Sequence, residues 1–208
     1  MRCPRNPKVK QKAKPFTVVI PYTFLFLYFI LTAAVLPGCT KKIEAKLPQI
    51  GINSEDRFPI RVGVFMDQSS RDYTYRSEGR LFVGRAVRDF VLVCFKSLFS
   101  DVREIKKQRI FSQLTEDTFR VNILAFYMLR RGFSLDSYIV LQVDFVDKNG
   151  NKIWQDLILG EGTSGVFWGS KTESARNSIV DAMLKLKDKV RGSSEIRYFV
   201  AKRLASGS

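Results

Sequence analysis

Cys39 ends the stretch Leu36-Pro37-Gly38-Cys39, where a basic start and an apolar run give way to ordinary globular sequence. Its thiol directly follows a small residue, Gly38, and has Leu three positions before it. The other cysteines offer less. Cys3 lies in the basic start, and Cys94 sits in the apolar run Val91-Leu92-Val93-Cys94-Phe95, where a lone thiol is inert core. The chain contains no His, which removes Ser/His and Cys/His nucleophile pairs and most zinc or iron sites.

Three further constellations invite chemistry and are better explained without it. Gly160-Glu161-Gly162-Thr163-Ser164-Gly165 matches the phosphate-binding pattern letter for letter. That chemistry needs a helix to begin inside the motif, and Val166-Phe167-Trp168-Gly169 intervenes, so a glycine-rich strand end or bulge is expected. Asp147-Lys148-Asn149-Gly150-Asn151 offers oxygen ligands like a calcium loop but lacks the later bidentate Glu, and a hairpin turn accounts for every residue. A polymer hydrolase would need two carboxylates about 5–10 Å apart across a cleft. Asp67, Asp144, Asp156 and Glu161 show no spacing that forces such a meeting.

The stretch from Asp67 to Arg80 is the best candidate for a binding surface. It carries Arg71, Tyr73, Tyr75, Arg76 and Arg80, with Arg85 just beyond. Tyr and Arg are enriched at binding hot spots, and the stretch follows the C-terminal end of a strand, where open α/β sheets bind ligands. Phe167-Trp168 between glycines reads as a plug over the sheet edge, with an exposed aromatic tip dipping into a membrane or partner as the alternative.

The positioning elements follow from periodicity. Pro59 to Met66 is a β-branched strand. Arg80 to Ser100 is expected as a helix, with Val83, Val87, Phe90, Val91, Cys94 and Leu98 at spacings of three and four. Val102 to Lys106 is a short strand, and Val121 to Leu129, almost continuously apolar, a central strand with both faces buried. Leu135 to Val146 alternates with period two. The Asn149-Gly150 turn then sends Lys152 to Leu159 back with Phe145 opposite Trp154. Ser170 and Glu173 form a capping box for a helix whose core stripe is Ala175, Ile179, Met183, Leu186 and Val190, and Glu195 to Leu204 forms a short terminal helix. The fold class is α/β (α+β, two-layer): a mixed sheet with a long hairpin, packed against two main helices.

The chain has 35 Lys and Arg against 20 Asp and Glu. Six of the cations and none of the acids precede Cys39, so the mature chain carries 29 against 20. That surplus favours anionic neighbours such as lipid headgroups or acidic glycans, and nucleic acid is not expected of a secreted chain. Residues 1–38 form a leader, 39–57 a flexible tether and 58–208 a single domain. The competing view keeps Phe16 to Val35 as an uncleaved transmembrane anchor. In both, the cations before the apolar run place the domain on the non-cytoplasmic side.

Leu36 to Cys39 resembles a bacterial lipobox, which implies that the Cys39 sulfur takes a diacylglycerol and that the peptide bond between Gly38 and Cys39 is then cut. From about residue 59 to 190 the order of strand, polar loop, helix, Asn-Gly hairpin with Ile153-Trp154 and Ala-rich helix resembles a group of envelope lipoproteins. It comprises the curli-secretion, Pel-polysaccharide and YajG-like lipoproteins and the activator of penicillin-binding proteins, which share a small domain like the N-terminal domain of TolB. The resemblance implies a non-enzymatic component without a cofactor, held in the bilayer through acylated Cys39. It acts by docking on an envelope protein or polymer, or by self-assembly as a homo-oligomer. Thr40 after the lipidated Cys suits the outer membrane, facing the periplasm. Replacing Cys39 with Ala is expected to leave a slower-migrating precursor and abolish fatty-acid labelling. A wild-type chain of unchanged size without label would favour the retained anchor.

Overall fold

The computed structural model describes residue 43 and residues 57–77, 79–106, 116–165 and 170–206. The leader, most of the expected tether, and Phe167-Trp168 lie outside the described residues. The first strand, β1 (Phe58–Met66), turns Ile60, Val62, Val64 and Met66 to one face, where all four are buried. A one-turn helix α1 (Gln68–Arg71) follows, then the short pair β2 (Tyr75–Arg76) and β3 (Arg80–Leu81). The long helix α2 (Val83–Leu98) leads into β4 (Phe99–Ile105), and the meander β5 (Thr118–Arg131), β6 (Ser134–Val146), β7 (Lys152–Ser164) comes next. Helices α3 (Lys171–Gly192) and α4 (Ser194–Ala205) end the chain.

The main sheet has the order β4-β1-β5-β6-β7. β1 runs parallel to β4 and β5, and the other pairs are antiparallel, so the sheet is mixed and the class α+β, as expected. The apolar stripe of α2 is buried at every expected position, and so is that of α3. Ser170 caps α3 by accepting the Glu173 N–H at 3.0 Å. Ser193 closes α3 and caps α4 by accepting the Ile196 N–H at 3.1 Å.

β5 and β7 run longer than expected, to Arg131 and Ser164, and other expectations differ for local reasons. α2 begins at Val83, because Arg80 and Leu81 pair with Arg76 and Tyr75. It ends at Leu98, because Phe99 turns extended (φ −123°, ψ 152°) and stacks on Phe58 at 5.2 Å, so β4 starts three residues early. β5 is central in order yet not covered on both faces: Leu124, Tyr127 and Leu129 are 52%, 42% and 44% exposed. Tyr127 and Leu129 alternate with the inward Phe126 and Met128, on the face that carries no helix layer; Leu124 sits in a β-bulge.

The β6–β7 hairpin keeps the expected Phe145–Trp154 register by an unexpected route. The loop spans Asp147–Asn151, closed by the Asp147 N–H donating to the Asn151 carbonyl at 2.9 Å, with Gly150 at φ 85°. A one-residue irregularity between Phe145 and Val146 then restores the alignment.

An aromatic chain joins the layers. Phe95 of α2 meets Phe119 of β5 at 4.4 Å, Phe119 meets Phe145 of β6 at 4.4 Å, and Phe199 of α4 meets Phe145 edge-on at 5.3 Å. Ile43, from the segment expected as a free tether, is also buried in this core. Arg203 of α4 pairs with buried Asp117 at 3.3 Å, and Asp117 also accepts the Lys148 N–H at 3.0 Å. The terminal helix is thereby tied to the start of β5 and to the β6–β7 turn.

Two of the three glycines of the phosphate-like motif, Gly160 and Gly162, lie within β7 and serve packing, while Gly165 follows its end. A Cβ on Gly160 would collide with the Ser178 carbonyl and with Ala182, and one on Gly162 with the backbone of α3 at Ser174 and Ser178. Beside this contact, α3 side chains at four-residue spacing reach the outer edge of β7. Asn177 donates to the Thr163 carbonyl at 2.8 Å, Asp181 accepts the Glu161 N–H at 2.9 Å, Lys185 donates to Leu159 at 3.0 Å and Lys189 to Leu157 at 3.2 Å.

Phe145 is fully buried and sits between two rings. Truncating it to Ala is expected to cost about 3–5 kcal/mol in chemical denaturation. A loss below about 1 kcal/mol would mean that its ring does not hold the layers together.

Candidate functional site

The Asp67–Arg80 stretch is built outward from the end of β1. Asp67 caps α1, its carboxylate accepting the Ser70 N–H at 2.6 Å and the Ser69 hydroxyl at 3.1 Å. Burial works to raise its pKa, but those bonds, the Ser70 hydroxyl and the nearby Arg71 cation outweigh it and hold the carboxyl below the ordinary 3.8. Buried Ser70 in turn accepts the Ile123 N–H at 2.9 Å, fastening α1 to β5 near the bulge.

The five expected binding residues divide into three groups. Arg71 turns inward: Nη1 donates to the Lys106 carbonyl at 3.0 Å and Nη2 to the Ile105 carbonyl at 2.6 Å, with the guanidinium 5.8 Å from the Phe65 ring centroid. It closes the end of β4. The cavity beside it, lined by Val64, Met66, Arg88 and Glu104 among others, is about 10 Å³, room for one water and no larger ligand. Tyr73 and Tyr75 are half-buried against the core, and Tyr75 meets Phe126 edge-on at 5.2 Å. Only Arg76 and Arg80 are exposed, paired with each other in register across the β2–β3 hairpin.

This hairpin is held from three sides. Gly84 of α2 donates its N–H to the Tyr73 carbonyl at 2.9 Å, and a Cβ there would collide with the Ser70 and Arg71 carbonyls. The Tyr75 ring rests on β5. Lys171, at the start of α3, donates to the Ser77 carbonyl at 3.2 Å. One turn later Ser174 donates to the Leu135 carbonyl at 2.8 Å, so the hairpin, the start of α3 and the β5–β6 turn share one end of the sheet. Arg85 is exposed on α2 nearby, its guanidinium 4.9 Å from the Phe82 ring centroid.

Sequence reasoning missed what the β5–β6 turn adds at that end. Arg130 and Arg131 are exposed, Gly132 adopts φ 59°, and Phe133 is 74% exposed. Below the turn, the helix-free face of the sheet carries Leu129, then Tyr127 stacked on Tyr138 at 4.9 Å, then Leu159 and Leu157 on β7. The alternation in β6 was the available signal. Tyr138 and Val140 stand on its outward face, where a solvated strand would place polar residues.

The remaining chemical candidates are occupied structurally. The Cys94 thiol is buried, burial pushes its pKa up to about 12, and it lies 3.5 Å from the Met183 carbonyl. Asp147 accepts from Asn149 and Asn151 within its own turn, at 2.9 and 2.8 Å. Asp144 lies beside Gln142 at 3.3 Å, and Asp156 pairs with Lys189 at 2.8 Å. Among the described residues there is no group of His, Cys, Asp and Glu that could hold a metal, and no helix long and apolar enough to cross a membrane. Cys39 and Gly38 lie outside the described residues.

Comparison with known proteins places the fold. No family model and no curated protein matches the chain. The fold is similar to that of protein XCC0632 from Xanthomonas campestris (DUF330), with a TM-score of 0.53 at 8% identity, covering 81% of this chain and 99% of that one. Weaker likenesses include a Helicobacter pylori protein described as a homolog of a neuraminyllactose-binding hemagglutinin (TM-score 0.44, 11% identity, 80% of this chain and 100% of that one). A minor lipoprotein from Acinetobacter baumannii gives 0.35 at 9% identity, covering 63% of this chain and 90% of that one.

Replacing Asp67 with Ala removes the cap of α1 and is expected to cost about 1 kcal/mol near neutral pH. Because the folded-state pKa is depressed, this stabilisation is present above about pH 4 and is lost as pH falls through the folded value. Denaturation curves of wild type and variant should therefore converge in acid. A difference that stays constant down to pH 2 would show that the carboxylate charge is not what acts.

Proposed function

We propose that this is a non-enzymatic lipoprotein of the bacterial cell envelope, anchored through acylated Cys39, whose domain binds a protein or polymer of the envelope. The observation that carries the reading is the β2–β3 hairpin: a two-strand element held by Gly84, Tyr75 and Lys171 that leaves Arg76 and Arg80 exposed side by side. Anchored backbone under exposed guanidinium groups suits recognition of carboxylates or phosphates, since the strands that carry them are already paired before binding. The Leu36–Cys39 motif supports the anchor, and Thr40 supports the outer membrane.

Arg71 is a positioning residue in this reading, because its donors serve the β4 carbonyls. Tyr73 and Tyr75 form the packed floor of the site. A hydrolase built on Asp67, Asp144, Asp156 or Glu161 finds no support, as Asp67, Asp144 and Asp156 are each engaged with a different neighbour.

The test is a photo-crosslinker at Ser77 in cells, with captured partners identified by mass spectrometry. A specific partner that disappears in the double variant Arg76→Ala, Arg80→Ala is the expected result. No capture, together with polymer cleavage by the purified domain that vanishes in Asp67→Asn, would reverse the reading.

A further inference from the structure

We infer that the β5–β6 turn is a second membrane contact, with Phe133 entering the interface of a bilayer and Arg130 and Arg131 meeting its anionic headgroups. The inference rests on the reading of Cys39 as the lipid anchor, which makes a bilayer the nearest extended anionic surface. Ile43 is buried in the core, so Cys39 stands only four residues before a packed position. Four residues reach at most about 14 Å. A chain held so closely presents some part of its surface to headgroups continuously.

The chemistry at this end of the sheet selects which part. Phe133 is the most exposed large apolar residue among those described, at 74%, and it stands on a tight turn that Gly132 permits at φ 59°. A soluble polyanion gains nothing from an exposed ring, whereas the boundary between headgroups and acyl chains does. Arg130 and Arg131 flank the ring. The side chain of Arg131 remains 68% exposed even with Asp136 at 3.5 Å, so its charge is open to phosphate. Leu129 and Tyr127 continue the apolar surface along the same strand. At the opposite end of the meander the turn Asp147–Asn151 is polar, and Asp147 is satisfied within it.

The test uses the mature chain with Cys39→Ser, which has no acyl group, so its outcome is independent of whether Cys39 is lipidated in cells. Cosedimentation with phosphatidylglycerol/phosphatidylethanolamine vesicles is compared with phosphatidylcholine vesicles. Binding to the anionic vesicles alone is expected. It should fall at least about tenfold in Arg130→Ala, Arg131→Ala and severalfold in Phe133→Ser, each shown folded by its thermal melt. Lys148→Ala plus Lys152→Ala, at the far turn, should bind as wild type. Equal loss in that control would reduce the effect to net charge and overturn the inference. So would wild-type binding by Phe133→Ser, which would leave a general polyanion site, or a concentration-dependent dimer abolished by the same substitutions. Fatty-acid labelling of the unmodified chain tests the anchor separately.

Discussion

The contact on which the architecture depends is the close approach of α3 to β7. Gly160 and Gly162 remove side chains from the strand where Ser174, Ser178 and Ala182 line the helix, so the two backbones come nearer than any Cβ would allow. The approach has a second effect through a match of repeats. Four residues of helix advance about 6 Å, and two residues of strand about 6.6 Å. Side chains at every fourth position of α3 therefore meet every second residue of β7. Asn177, Asp181, Lys185 and Lys189 occupy those positions and satisfy backbone groups that an edge strand would otherwise present to another chain. A stretch that reads as a nucleotide motif thus serves to bury a helix against a strand and to close one edge of the sheet.

At the other end of α3 the same placement organises the exposed hairpin. Lys171 reaches the Ser77 carbonyl from one turn before Ser174, whose hydroxyl lies within hydrogen-bond distance of the Leu135 and Gly162 carbonyls. The hairpin also needs Gly84, which lets the Ser70–Arg71 backbone cross the first turn of α2. Gly84 and, far from it in the sequence, the close pair Gly160 and Gly162 thus pack the elements around the hairpin that carries Arg76 and Arg80. Arg71 belongs to the same stretch yet does different work, since its donors satisfy carbonyls at the end of β4.

Much of the fold was legible because it is written in local periodicity. The stripes of α2 and α3, the Ser170 cap and the Phe145–Trp154 pairing depend on residues close in sequence. What was not legible depends on the third dimension. Nothing local distinguishes Arg71, which bonds a strand 34 residues away, from Arg76, which is exposed. The apolar run of β5 suggested two buried faces, but an apolar residue announces only that it avoids water, not whether this chain supplies the cover. The Phe133 turn was passed over for a related reason: Arg130, Arg131 and Phe133 are unremarkable until the sheet brings them to the end that Arg76 and Arg80 occupy. The alternating strand beside it carried the missed clue in Tyr138 and Val140.

The uncovered face and the closed edge constrain each other. A two-layer sheet has two ways to recruit a further chain, by adding a strand or by covering its bare face. At β7 the α3 side chains leave little edge backbone for strand addition, whereas the helix-free face of β5 to β7 keeps Tyr127, Leu129, Leu157 and Leu159 more than 40% exposed. The polar half of that face, with Asn122 opposite Gln142 and Arg120 opposite Asp144, lies toward the Asp147 turn. The apolar half lies toward Phe133. Exposed apolar surface of this kind costs solubility unless something occupies it, and on β5 and β6 it gathers toward Phe133, while on β7 Leu157 stands opposite Gln142. The β5–β6 end carries the exposed Arg130, Arg131 and Phe133, and the opposite end is braced by the pairing of Arg203 on the terminal helix with Asp117.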